Sequence, residues 1–465
     1  MAGKLKRGII IVFLANTLNL ALSVLRNLIL PHFLSIETYA DIKLYQLYIS
    51  YISFAAIGFI DGMYLKYGGV EVSKIDKMEL TNSISTFRWI EFFFALIISG
   101  IGILIKDTIL VLTGLSIFVI NITDYYKCLF QATGEFEKYT RIMNISSILL
   151  FATNIVLIFA FKCDNSIYYI VSYITVYAII WVLTEIRFTR LGYARIKLFS
   201  FSYKTAKELI ASGFLLMCGL YISNLMTGLD RWCVKYFMKT YDFALYAFAA
   251  SIEGFLSFAV SPVAVTLYNY FCTNKDVIRM KTIKGVIHVF LALIISGAFF
   301  VKYMMEAFLD KYIEANNVLF ILFASQFIYS QIKCFYLNVF KAQKRQTDLF
   351  KLTGIILAIG LALNLILYKI MGTMESFAIG TLLSAAIWYL ICERIFPEYK
   401  DRANGYLYSI TIIIAYLLCG IIMKSYFGLA MYLVLFVLLS LVFRKQEFCE
   451  LIAVGKSMLR KYAHR

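Results

Sequence analysis

The chain has 465 residues, of which 61% are hydrophobic and only 16% charged, and its mean hydropathy is +0.78. Soluble domains carry nearer about 25% charged residues, so the composition excludes an ordinary soluble enzyme or binding module and points to a polytopic membrane protein. A net charge of +17 would suggest nucleic acid in a soluble protein. Here the bias of Lys and Arg toward inside loops and their attraction to anionic headgroups account for it, and no nucleic-acid partner is expected.

Long continuous apolar runs predict helices rather than the alternating strands of a barrel, hence an all-α membrane fold. With about 20 apolar residues per span, fourteen spans are expected. They lie near 8–30, 42–63, 82–104, 107–129, 141–161, 166–186, 208–229, 243–268, 283–301, 316–339, 350–369, 375–394, 406–423 and 426–443. The first follows MAGKLKRG without a small-residue cleavage site, so it reads as a retained helix rather than a signal peptide.

After the sixth span comes IRFTRLGYARIKLFSFSYKTAK, residues 186–207, with Arg187, Arg190, Arg195, Lys197, Lys204 and Lys207 and no acid. Such a loop between apolar blocks reads as cytoplasmic. Most of the 45 Lys and Arg fall in alternate loops of the same register, which places both termini in the cytoplasm. The expected organisation is an N-lobe over 1–187, a linker over 188–207, a C-lobe over 208–395, and two further helices with a basic tail over 396–465.

Two echoes suggest that the lobes are parallel repeats. FQATGEFEKYTR (130–141) matches FKAQKRQTDLFK (340–351) at an offset of 210, pairing Phe130 with Phe340 and Arg141 with Lys351, and Asn154 then pairs with Asn364. Asn19 and Arg26 match Asn224 and Arg231 at 205. One modest insertion in the second half would absorb the difference. Pro262 lies inside the eighth span and is expected to kink it.

The 9 cysteines are scattered without a C-x-x-C, and His32, His288 and His464 are far apart, so no disulfide framework, metal site or cofactor is expected. Charges inside a membrane cost roughly 2.5–3.5 kcal/mol each on insertion scales, so those that persist are candidates. Glu253 falls near the middle of the eighth span and is a candidate proton site. Arg88 and Glu91, three apart, share a helical face and are expected to pair. Asp124 and Lys333 fall at nearly equivalent repeat positions and are candidates to pair across the halves, or each to reach the interface. Arg26 in the first span carries a fork suited to a phosphate. Asp61 ends the second span. These give Arg26, Arg88 and Lys333 as candidate substrate contacts and Glu253, Asp124, Glu91 and Asp61 as candidate coupling or gating groups. Asn16, Asn19, Asn154, Asn224 and Asn364 suggest polar faces or interhelical hydrogen bonds. No nucleotide loop, nucleophile elbow or histidine–carboxylate cluster occurs, so no catalytic residue is assigned.

The polar first span (LANTLNLALSVLRNLIL), SIETYAD, the GFIDG turn, LDRWCVKYF and ATGEFEKY together resemble the polysaccharide-transporter branch of the multidrug/oligosaccharidyl-lipid/polysaccharide (MOP) exporters, especially the Wzx-type O-antigen flippases. The resemblance implies two six-helix lobes around a central cavity and alternating access. Its implied substrate is an undecaprenyl-diphosphate-linked oligosaccharide carried to the outer leaflet of a bacterial cytoplasmic membrane. It further implies a basic cavity residue at Arg26, an H+ or Na+ coupling ion, and membrane lipids, a polymerase and a chain-length regulator as partners. Two other classes stand beside it. One is an ion-coupled drug or metabolite antiporter of the same superfamily. The other is a membrane polymerase or acyltransferase, against which the short outward loops speak.

Overall fold

Apolar runs that must satisfy every backbone group internally become helices, and every regular element among the described residues is helical. The computed structural model describes residues 2–194, 200–273 and 276–463. Arg195 and Lys197 of the basic loop, and His464, lie outside them. In order come α1 (Ala2–Phe33), α2 (Ile36–Ile49), α3 (Phe59–Tyr67), α4 (Lys77–Leu104), α5 (Thr108–Ala132), α6 (Phe136–Phe159), α7 (Ser166–Arg190) and α8 (Tyr203–Phe237). They are followed by α9 (Thr240–Glu253), α10 (Leu256–Thr273), α11 (Val277–Ile294), α12 (Gly297–Phe308), α13 (Asn316–Gln331) and α14 (Leu337–Ala342). Last are α15 (Gln346–Met371), α16 (Glu375–Ile395), α17 (Ala403–Ile422), α18 (Ser425–Phe443) and the amphipathic α19 (Lys445–Ala463).

Twelve helices are long and apolar enough to cross a membrane, or thirteen if α2 and α3, bent by 61°, form one span. The chain is therefore a multi-pass membrane protein. The remaining expected span, 243–268, falls on α9 and α10, of 14 and 18 residues, which part at Gly254 and Phe255 rather than at Pro262, a residue inside α10.

The chain packs as two compact units, Met1–Leu225 and Met226–Arg465, so the division falls within α8 and beyond the basic loop. Unit 1 buries an aromatic core in which Phe59, Phe87 and Tyr125 stack in sequence at 5.1 and 5.3 Å. Unit 2 buries most of α13, including Phe320, Phe323 and Phe327, among its neighbours.

The repeat is visible in the backbone. Gly134 (φ 74°) and Lys344 (φ 57°), 210 apart, each turn the chain after a helix whose cap residue, Thr133 or Gln343, has φ −86° and ψ 4°. The same bond closes both turns, Glu135 N–H to the Phe130 carbonyl at 2.8 Å and Arg345 N–H to the Phe340 carbonyl at 2.9 Å. The second span of each repeat opens with a 14-residue half-helix, α2 or α9. The first half then inserts a 3-10 turn (Ile52–Ala56) and two left-handed residues, Ile57 (φ 48°) and Gly58 (φ 81°), before α3. The second half resumes within two residues, and its next helix has 18 residues against 9 for α3. Across this stretch the offset moves only from 204, Ile36 against Thr240, to 206, Tyr67 against Thr273, so the break does not by itself separate the two offsets.

Gly58, Gly62 and Gly213 let α3 and α8 touch backbone to backbone. A Cβ on Gly213 would lie 2.1 Å from the Gly58 carbonyl oxygen, and one on Gly62 1.9 Å from that of Leu209. GFIDG is thus a small-xxx-small packing run.

Candidate functional site

Polar residues on four elements of unit 1 meet in a cavity of about 350 Å³. α1 supplies Arg26; the open end of α2 supplies Gln46, Ile49 and Ser50; α5 supplies Asp124 and Lys127; α7 supplies Tyr173 and Tyr177. The half-helix ends here because Ser50 doubles back, its amide pointing at the Gln46 and Leu47 carbonyls and its hydroxyl donating to Leu47 at 2.6 Å. Asp124 and Lys127, one turn apart on α5, form an ion pair. Tyr173 and Tyr177, one turn apart on α7, are stacked with centroids 5.0 Å apart and planes at 23°.

Arg26 is half-buried, and its Nε is buried without a hydrogen-bond partner among the described residues. A buried donor left unpaired costs about 1–3 kcal/mol, more for a charged group, unless a ligand completes it. Two bases against one acid leave the cavity positive. It can therefore hold an anion against the Arg26 fork, with Lys127 shared between that anion and Asp124 and a tyrosine face beside it for a sugar ring. The volume lies at the low end of ligand pockets, roughly 300–1,000 Å³, and suits a phosphate group with an adjoining ring rather than a whole oligosaccharide.

Apart from Arg26 and Asp124, the candidate residues lie outside this cavity. Arg88, expected as a substrate contact or as the partner of Glu91, is 5% exposed and ion-paired with Glu185 of α7. The Trp181 indole donates to the same carboxylate at 2.7 Å. Glu91 is fully buried and accepts from the Asn121 amide at 2.7 Å, and that amide also donates to the Ile52 carbonyl at 3.1 Å. Glu91 thus braces the break after α2. Asp61 is half-buried on α3 between the packing glycines. Asp124 takes Lys127 as its partner, not Lys333. In unit 2, Lys333 sits on a π-helical turn (Ile332–Tyr336) and donates to the Ser261 hydroxyl of α10 at 3.2 Å. Glu253, the last residue of α9, is half-buried at the break, with Gln326 of α13 beside its carboxyl. Of the asparagines, Asn19 makes the expected interhelical bond, to Asn144 of α6 at 3.3 Å.

Sequence reasoning passed over Lys127, Tyr173 and Tyr177, although the three-residue step from Asp124 to Lys127 and the four-residue step between the tyrosines were there to read. It also passed over a buried charge cluster in unit 2. Lys284 of α11 lies 2.5 Å from Glu393 of α16 and 3.3 Å from Asp401, and Arg444 lies 3.0 Å from Asp401. His288, dismissed as isolated, sits one turn from Lys284 and bonds Tyr389 at 3.1 Å, whose hydroxyl donates to Asp401 at 3.0 Å. Burial pushes the Asp401 carboxyl up, but His288, Lys284 and Arg444 outweigh it and hold it below the usual carboxylate range. Among the described residues no group of His, Cys, Asp and Glu is arranged to hold a metal.

No family model and no curated protein matches the sequence. Among solved structures, the lipid II flippase MurJ in an inward closed conformation matches with a TM-score of 0.63 at 15% identity, over 94% of this chain and 98% of that one. An inward-facing multidrug resistance MATE family transporter of the MOP superfamily matches with a TM-score of 0.52 at 11% identity, over 86% of this chain and 98% of that one. With fifteen or fewer residues identical in each hundred, what is shared is backbone architecture: the chain has the fold of the lipid II flippase and of the MATE transporter.

Proposed function

We propose that the chain is a MOP-superfamily flippase that moves undecaprenyl-diphosphate-linked oligosaccharide units from the cytoplasmic to the outer leaflet of a bacterial inner membrane, supplying O-antigen or another surface polysaccharide. The observation that carries this reading is the unpartnered, buried Nε of Arg26 in a positive, tyrosine-lined cavity, on a fold shared with a lipid II flippase. A diphosphate must shed water to cross, and a guanidinium fork beside Lys127 replaces part of that hydration. The phosphate competes with Asp124 for Lys127, so the loaded and empty cavities differ in their internal contacts. Such a difference is what alternating access needs, because a ligand with equal affinity for two states shifts neither. The two halves act as lobes of six spans each, with residues 396–465 appended, and the termini face the cytoplasm.

Deleting the gene tests this reading. The expected result is lipid-linked oligosaccharide trapped on the inner leaflet and loss of surface polysaccharide, with synthesis of the unit unchanged. Normal surface polysaccharide in a strain with no redundant flippase overturns it. A changed tolerance to cationic drugs in that same strain would favour the antiporter reading.

A further inference from the structure

Arg141 and Arg187 stand at the mouth of a second cavity, on the outside of unit 1 and away from Arg26. It runs between the first turns of α6 and the last turns of α7, holds about 290 Å³, and is floored by Ile142, Ile180 and Phe188. Ile145 and Leu183, 40% and 58% exposed, form its rim. Both arginines are exposed, and no hydrogen bond or ion pair engages either side chain among the described residues. Of the nearby acids, Glu135 pairs with Lys138 at 3.4 Å and Glu185 with Arg88, while Glu137, one turn before Arg141, lines an adjoining cavity with it but forms no ion pair with it. Lys138 completes the mouth, held in place over the Phe130 and Tyr193 rings at 5.6 and 4.7 Å and donating to the Tyr193 hydroxyl at 3.0 Å.

The repeat supplies an internal control. In the second half the same turn and the same ring pair recur, Phe340 with Phe396 in place of Phe130 with Phe188. Yet Lys138 and Arg141 correspond to Asp348 and Lys351 at the offset of 210, and the residue before Phe396 is Ile395 where Arg187 precedes Phe188. Asp348 there accepts from Arg345 at 2.8 Å, the Glu135–Lys138 pair with its polarity reversed, and Arg345 takes the place over the ring that Lys138 holds in the first half. The turn is kept in both halves, and the second sets its bases differently, with Lys351 at the place of Arg141 and Arg394, one residue before Ile395, nearest to that of Arg187.

We propose that this groove binds an anionic membrane phospholipid, with its phosphate on Arg141 and Arg187 and an acyl chain between α6 and α7. Charge complementarity selects the occupant. Two unpaired guanidinium forks match a phosphate, and the apolar floor, useless to a free anion, takes the chain. The site lies at the end of the helices that leads into the basic loop, the end that faces the anionic leaflet in the topology proposed above. It does not depend on what the protein transports.

The test uses the full chain purified in mild detergent and mixed with phosphatidylglycerol or phosphatidylcholine, with retained lipid counted by native mass spectrometry. Wild type is expected to retain phosphatidylglycerol at least roughly tenfold over phosphatidylcholine, and Arg141→Ala/Arg187→Ala to lose that preference. Ile145→Trp, which fills the rim and leaves every charge in place, should also cut retention. Lys351→Ala, the control in the second half, should not, and millimolar inorganic phosphate should not displace the lipid. Equal retention of the two lipids, or retention unchanged in the double arginine variant, overturns the proposal. Complete displacement by inorganic phosphate with no effect of Ile145→Trp overturns it as well, because the site then reads only a free anion.

Discussion

In the cavity of unit 1 the Nε of Arg26 is buried with no hydrogen-bond partner among the described residues, while in unit 2 Lys284, 2% exposed, lies against Glu393, Asp401 and the Tyr399 carbonyl. Both are cations inside a membrane bundle, where charge is costly. Lys284 is neutralised on the spot and ties α11 to α16 and to the loop before α17, so its work is finished in the empty protein. Arg26 keeps hydrogen-bonding capacity in reserve beside space that a ligand can enter. The difference teaches that buried charge by itself does not mark a site; charge with an unmet bond next to a cavity does. Arg88, chosen from sequence for the same reason as Arg26, sorts with Lys284 once Glu185 is seen beside it.

The comparison can be broken most forcefully at the cluster. Removing one member of a fully buried pair leaves the other charge uncompensated, and Lys284→Ala should destabilise the protein by about 3–5 kcal/mol. Thermal unfolding in detergent, with membrane abundance as a second readout, checks this. Lys284→Met with Glu393→Leu should recover most of the loss, and if the single variant is as stable as wild type, the cluster is not the structural half of the contrast. Next in size is Arg26→Ala. It should lower transport by roughly 10–100-fold, matching the about 1.5–3 kcal/mol of a charged hydrogen bond, and leave the unfolding temperature where it was. Arg26→Lys should fall between, because it keeps the charge and loses the fork. Inner-leaflet accumulation of lipid-linked oligosaccharide at matched protein levels reads both.

The smallest effect concerns pH. The Asp401 carboxyl is held below its ordinary value of 3.8, so the ionised group contributes stability that is complete above that pH and is lost as pH falls toward the lower folded value. Asp401→Asn should therefore lower the unfolding temperature at neutral pH, and the gap to wild type should close below pH 3.8. A gap independent of pH would show that packing, not charge, is what the side chain supplies.

The helical class, most of the spans and the recurring turn could be read from the chain, because apolar runs of membrane length and a repeated turn motif are local signals. ATGEFEKY and its mate announced two turns whose backbones agree to the degree at the cap. The partners of the charges could not be read. Arg88 meets a residue ninety-seven positions away, and nothing in one sequence says which helix will stand beside α4. A spacing of three made Arg88 and Glu91 look like a pair, but the same spacing on α5 did produce one, Asp124 with Lys127. Local spacing permits a contact, and packing decides it. The interruptions after α2 and α9 were hidden for a related reason: hydropathy runs straight through Gly254 in the middle of one expected span and through Gly58 just before the end of another.

The joint between α3 and α8 has a consequence of its own. It is made by atoms that are missing, the side chains of Gly58, Gly62 and Gly213. Protons, salt and lipid composition act on charges, and none of them acts on an absent methyl group. The short helix carrying Asp61 and the opening turns of α8 are riveted where the chain is thinnest, and any side chain at one of these glycines would force them apart.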